Sequence, residues 1–137
     1  MKILIIIIFI AVFLCGCAFF GYPNHTKGDP ENMTYNRITM EEAIQIMNSE
    51  NGYIILDVRR PDEFASGHIP GAINIPNEDI GDEEISQLSD KNQLILVYCR
   101  SGNRSKQAAK KLVALGYTNV VEFGGIIDWK GETTSGN

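Results

Sequence analysis

Two short stretches constrain this chain more than anything else in it. Tyr53-Ile54-Ile55-Leu56-Asp57-Val58 and Leu94-Ile95-Leu96-Val97-Tyr98 are near-continuous apolar runs, rich in β-branched residues, with no alternation of polar and apolar positions. A half-exposed strand alternates, so runs like these belong to strands covered on both faces, which is the situation in parallel sheets sandwiched between helices. The segments between them supply the helices. Thr39-Met40-Glu41-Glu42 is a capping-box start, and Met40, Ala43, Ile44 and Met47 then fall on one helical face. Pro61-Asp62-Glu63-Phe64 predicts a short helix with Pro in its first turn. Ser105 to Leu115 predicts a longer one, with Ala108, Ala109, Leu112 and Leu115 inward, Lys106, Lys110 and Lys111 outward, and Gly116 as its stop. Further short strands are expected at Ala72–Ile75 and Asn119–Phe123, a weaker helix at Asp82–Leu88, and a last short helix carrying Trp129 after Gly124-Gly125. Strands alternating with helices give an α/β domain with a mostly parallel central sheet and helices on both faces.

That domain is expected over residues 37–131 of the 137, followed by a short tail at 132–137. The first residues read differently. Met1-Lys2 is a basic start, and Ile3 to Leu14 is an uninterrupted apolar run of secretory-signal length. Leu14-Cys15-Gly16-Cys17 resembles a bacterial lipobox, which makes residues 1–16 a signal peptide and Cys17 the lipidated residue. The competing reading extends the apolar stretch through Phe20 as an uncleaved anchor over residues 1–20. A buried core helix is excluded, because the segment has no polar face. Residues 17–36, polar and broken by Pro23, Gly28 and Pro30, read as a tether. Either anchor places the domain at the cell membrane, on the extracytoplasmic side.

The formal charge is −5, and losing residues 1–16 removes Lys2 and no acid, making it one unit more negative. With no basic run, nucleic acid is a poor partner. If Cys17 carries lipid and residues 1–16 are removed, Cys99 is the one remaining thiol, and a lone cysteine exported to an oxidising space points to reactive use. His25 and His68, far apart and with one cysteine, make no credible metal site.

In parallel α/β sheets ligands bind beyond the carboxyl ends of the strands. One strand ends there in Asp57-Val58-Arg59-Arg60. The other runs into Cys99, then Arg100-Ser101-Gly102-Asn103-Arg104-Ser105 and a helix. Such a loop can turn successive backbone N–H groups onto the sulfur, and the helix dipole adds positive charge. These surroundings favour a thiolate, and equally a persulfide anion. Gly102 and Asn103 are residue types that tolerate a tight loop's left-handed backbone.

Leu56-Asp57-Val58-Arg59, Glu63-Phe64, Gly67-His68-Ile69-Pro70-Gly71-Ala72, the Tyr98–Ser105 loop and Gly124-Gly125 with Trp129, in this order and spacing, resemble the rhodanese family over nearly the whole domain. The resemblance implies a rhodanese-like fold and a sulfurtransferase. Cys99 would accept sulfane sulfur from a small anion such as thiosulfate, the amides of Arg100 to Ser105 would bind the persulfide, and a thiol or cyanide would remove it. Asp57 and Arg59 would support the site. Such ping-pong chemistry calls for no metal or organic cofactor, and nothing in the sequence suggests more than a monomer. His68, in a turn, reads as structural, and Trp129, Met40 and Met47 as core.

Two other functional classes stay open. Cysteine phosphatases and arsenate reductases of this fold place an arginine six residues after the cysteine; here that residue is Ser105, and the arginine, Arg104, comes at the fifth. The shorter loop should suit a sulfur atom better than a tetrahedral oxyanion. A persulfide carrier or docking protein is the other class; silent domains of this kind usually lose the cysteine or the loop glycine, and this chain keeps both.

Overall fold

The computed structural model describes residues 34–137. The predicted signal or anchor, the lipidation candidate Cys17 and most of the tether lie outside the described residues; among these, no helix is long and apolar enough to cross a membrane.

Five strands form one sheet: β1 (Asn36–Arg37), β2 (Tyr53–Asp57), β3 (Ile73–Asn74), β4 (Leu94–Cys99) and β5 (Val120–Gly125). Their order is β1-β5-β4-β2-β3 and every pairing is parallel. Parallel neighbours need crossover connections, and three α-helices lie in them: α1 (Met40–Ser49), α2 (Pro61–Ser66) and α3 (Asn103–Ala114). The two apolar runs are β2 and β4 at the middle of the sheet. Alternation along β4 explains why they carry no polar face. Ile95, Val97 and Cys99 pack with Ala108, Ala109 and Leu112 of α3, while Leu96 and Tyr98 pack with Met40, Ala43 and Ile46 of α1. Truncating a side chain as enclosed as Leu112 costs about 2–5 kcal/mol.

Local signals set the helix ends. Thr39 caps α1 by accepting from the Glu42 N–H, and Glu42 accepts from the Thr39 N–H in return, closing the capping box. Just beyond α3, Gly116 turns the chain at φ +91°. That helix begins at Asn103, two residues earlier than its periodicity suggests, because Gly102 supplies the N-cap.

Two expected helices shrink to single 3₁₀ turns. Asp82–Leu88 is helical only at Ser86–Leu88, since Asp82, Glu83 and Glu84 are exposed and leave Ile85 and Leu88, three residues apart, to pack inward. The segment after Gly125 turns once, over Ile126–Asp128, and Trp129 follows it in extended conformation, packed on the α1 side of the sheet. Beyond it, Thr134 exchanges two backbone hydrogen bonds with His68, and the Gly136 N–H donates to the Ala65 carbonyl.

Candidate active site

Strands β2 and β4 are neighbours in register, so their carboxyl ends bring Asp57 beside Tyr98 and leave Cys99 one residue further on. Cys99 is buried, with 1% of its surface exposed. Its loop rests on β5, where the ladder is irregular. Val97 faces Glu122 but Cys99 faces Gly125, so β5 holds one more residue than β4 across this interval. Gly124 absorbs the extra length at φ +96°. A Cβ on Gly125 would overlap the Arg100 carbonyl and the Ser101 Cα, so the loop can lie down only on a glycine. The loop is also tied by the Ile127 N–H, which donates to the Arg100 carbonyl at 3.2 Å.

Gly102, at φ +98°, turns its N–H back onto Cys99 Sγ at 3.0 Å. The Cys99 thiol lies 3.5 Å from Ser105 Oγ, within reach to donate. Burial pushes this thiol up, but the Ser105 hydroxyl and the amides of Ser105, Gly102 and Ser101 outweigh it, and the thiol is held below its ordinary value. The stabilisation is built from backbone and hydroxyl dipoles, with no charged side chain hydrogen-bonded to the sulfur. Such a cup suits an anionic sulfur of either kind, thiolate or persulfide.

The remaining sequence-predicted residues fall into separate places. Arg100, Ser101 and Asn103 are exposed on the loop. Arg104 forks onto Glu63 of α2 at 2.7 and 2.9 Å, binding the loop's helix to the neighbouring one. That contact holds the Glu63 carboxyl at about 2, far below its ordinary value. Asp57 and Arg59 form a buried fork, with Arg59 Nη2 2.6 Å from Asp57 Oδ2 and donating also to the Gly67 carbonyl. Asn74 ties their backbone carbonyls together. This pair braces the end of β2 against the turn after α2. His68 stacks on Phe64 with ring centroids 3.6 Å apart, and its Nδ1 bonds the Phe64 carbonyl, in keeping with a structural residue. Among the described residues no group of three or more His, Cys, Asp or Glu side chains is arranged to hold a metal.

One residue at the site went unread in the sequence. Glu122 of β5 is 1% exposed and lies beneath the loop. Its Oε1 accepts from Ser105 Oγ at 2.7 Å and from the Gly124 N–H at 3.0 Å, and its Oε2 accepts from Arg37 Nε at 3.1 Å. The signal was present: a lone acid inside the apolar run Val120-Val121-Glu122-Phe123. A carboxylate in a doubly covered strand must be paired, and that makes it worth locating.

Residues 39–132 match the family of rhodanese-like domains. The chain is 40% identical over 73 residues to the thiosulfate sulfurtransferase PspE of Escherichia coli, covering 53% of this chain and 70% of that protein. It is 35% identical over 108 residues to the thiosulfate sulfurtransferase GlpE of Pseudomonas entomophila, covering 75% of this chain and 95% of the relative. Among solved structures, a rhodanese with anions from E. coli superposes with a TM-score of 0.56 at 36% identity, covering 61% of this chain and 99% of the other. With the predicted α/β architecture in place and the cysteine loop at its carboxyl edge, the chain belongs to the family of rhodanese-like domains.

Proposed function

We propose that this protein is a sulfurtransferase that moves sulfane sulfur through a persulfide on Cys99. The observation that carries the reading is the cup around Cys99 Sγ, with the Gly102 N–H at 3.0 Å and the loop amides holding the thiol low. In the proposed cycle the Cys99 thiolate attacks the outer sulfur of thiosulfate, the S–S bond of the donor breaks, and sulfite leaves with the bonding pair. The product, Cys99–S–S⁻, keeps its charge within reach of the same donors. A thiolate or cyanide then attacks the outer sulfur and the Cys99 thiolate is regenerated, so charge and electrons balance in both halves. Arg104 is committed to a two-bond fork with Glu63, whereas an oxyanion-binding arginine must be free to grip its ligand, which favours this chemistry over phosphate or arsenate turnover.

The test is thiocyanate formation from thiosulfate and cyanide by the full chain, beside Cys99→Ala. Cysteine-dependent turnover is expected. Persulfide retained on Cys99 without release to small acceptors would make the protein a carrier for a dedicated partner, and Cys99-dependent hydrolysis of an aryl phosphate would overturn the reading.

For location, the proposal is a domain held at the outer side of the cell membrane, through lipid on Cys17 or through an uncleaved apolar segment. It rests on Ile3–Leu14 and on Leu14-Cys15-Gly16-Cys17. Membrane fractionation of Cys17→Ala separates the two: release or misprocessing is expected for lipid, and unchanged retention for the helix.

A further inference from the structure

The buried acid beneath the loop has no part in the cycle above, yet it ends an unbroken chain of hydrogen bonds that starts at the nucleophile. Cys99 Sγ lies 3.5 Å from Ser105 Oγ, and Ser105 Oγ lies 2.7 Å from Glu122 Oε1. All three residues are closed to solvent, at 1%, 0% and 1% exposure. The direction of the chain is fixed by its far end. Glu122 receives the Ser105 hydroxyl at 2.7 Å, the Gly124 N–H and Arg37 Nε, all of them donors, while the Gly124 carbonyl, the other acceptor near the Ser105 hydroxyl, lies farther off at 3.4 Å. A hydroxyl has one proton to give. With that proton on Glu122, the lone pairs of Ser105 are left to face the thiol, which is the geometry for accepting S–H.

We propose that Glu122 is the acceptor of the Cys99 thiol proton, acting through Ser105. The step moves two protons in one direction. The Cys99 proton passes to Ser105 Oγ and the Ser105 proton passes to Glu122 Oε1, leaving a thiolate, an intact hydroxyl and a neutral carboxyl group. The site holds one negative charge before and after, transferred from oxygen to sulfur. Once the protons have moved, the Ser105 O–H points at the sulfur and joins the Gly102 N–H in stabilising it. Burial that would hinder loss of a proton to bulk water does not hinder this exchange, because no net charge is created inside the protein. Ser105 touches the reacting atom; Glu122 works at one remove and is a positioning residue. Parallel pairing puts it there, since Arg37 of β1 is in register with Glu122 and reaches its carboxylate from a side chain that is itself 61% exposed.

The inference rests on Cys99 being the nucleophile of the sulfur-transfer reading, but its test needs no sulfur donor. The rate of iodoacetamide alkylation at Cys99 is followed against pH in the full chain, with the Cys99 peptide resolved by mass spectrometry from those of Cys15 and Cys17. The charged groups around the chain are Arg37 of β1, bonded to Glu122, Arg104 of α3, which interacts with the charge of Cys99, and Glu41, Asp128 and Lys130, which line the same cleft as Glu122. Two titrating groups sharing one proton give two macroscopic steps. The wild-type rate is therefore expected to rise in two steps separated by a plateau. Glu122→Gln keeps an acceptor for Ser105 but cannot take the proton. It is expected to show one step, with its acid limb at least about one pH unit higher, close to a tenfold loss of reactivity on that limb. Ser105→Ala, which cuts the bridge and leaves the acid, should also reduce the profile to one step.

A single wild-type step in the thiol range overturns the proposal without any variant. So does a Glu122→Gln profile with an unchanged midpoint, or one moved down, as plain removal of a neighbouring negative charge would move it. Loss of thiocyanate formation with the two-step profile intact would count against the sulfur-transfer reading and leave the relay standing.

Discussion

Two polar clusters sit at the same edge of the sheet and are built on opposite plans. At the end of β2, Asp57 and Arg59 put full charges into the interior and answer each with the other, with the Gly67 carbonyl taking a further guanidinium proton. At the end of β4, the sulfur is bonded by an amide and a hydroxyl and by no charged side chain, while Arg104 is paired with Glu63. The first cluster closes on itself, charge against charge, and ties the end of β2 to the turn after α2. The second is organised around an atom that can gain a charge. Buried polarity is thus spent on a charge pair at one strand end and on an ionisable sulfur at the end of the adjacent strand.

The comparison predicts that substitutions in the two clusters fail different measurements. Cys99→Ala should abolish turnover entirely in the thiocyanate assay while lowering the unfolding free energy from urea denaturation by no more than about 1 kcal/mol, as for a small-volume change. Asp57→Ala should do the reverse. It strands the Arg59 guanidinium, which is 5% exposed, and is expected to cost about 3–5 kcal/mol in urea denaturation with turnover per folded molecule retained. An Asp57→Ala protein that unfolds normally and loses turnover would break the distinction.

Gly125→Ala sharpens it from the other side. The new methyl group must displace the Arg100–Ser101 backbone, and a loop amide displaced by about an ångström should lose about a hundredfold in turnover, against about 1–3 kcal/mol in stability. Smallest is the acid response of the latch between the clusters. Glu63 titrates at about 2 in the folded protein against an ordinary 4.5, mainly through its bonds to Arg104. A depressed carboxyl stabilises the fold above its ordinary value and loses that contribution as pH falls from about 4.5 to 2. The loss should be at most about 1 kcal/mol, because the pair is partly solvated, and it should vanish in Glu63→Gln denatured across the same range.

What could be read from the sequence followed from the same logic of burial. β2 and β4 were plain because both faces are covered and every position but the terminal Asp57 of β2 is apolar, and the Cys99 loop was plain because its glycine and following helix are adjacent in the chain. Asp82–Leu88 misled because Glu83 and Glu84 carry good helix propensity but bury nothing, and packing decides short helices. The partners of the site were hardest. Arg104 meets Glu63 across 41 positions, and Glu122 meets Ser105 across 17. Only the closing of the sheet brings those residues together, and no local pattern records it.

The depth of Cys99 has a consequence for what the protein can be damaged by. A thiol with 1% of its surface open presents almost no target to a bulky disulfide or to the thiol of another protein, so mixed disulfides and dimers through this cysteine are disfavoured. A persulfide extends the chain by one S–S bond, about 2 Å, and carries the reactive atom outward by up to that length. On the proposed cycle, access would then be tied to cargo, the loaded sulfur being the more exposed of the two and the unloaded one the better screened.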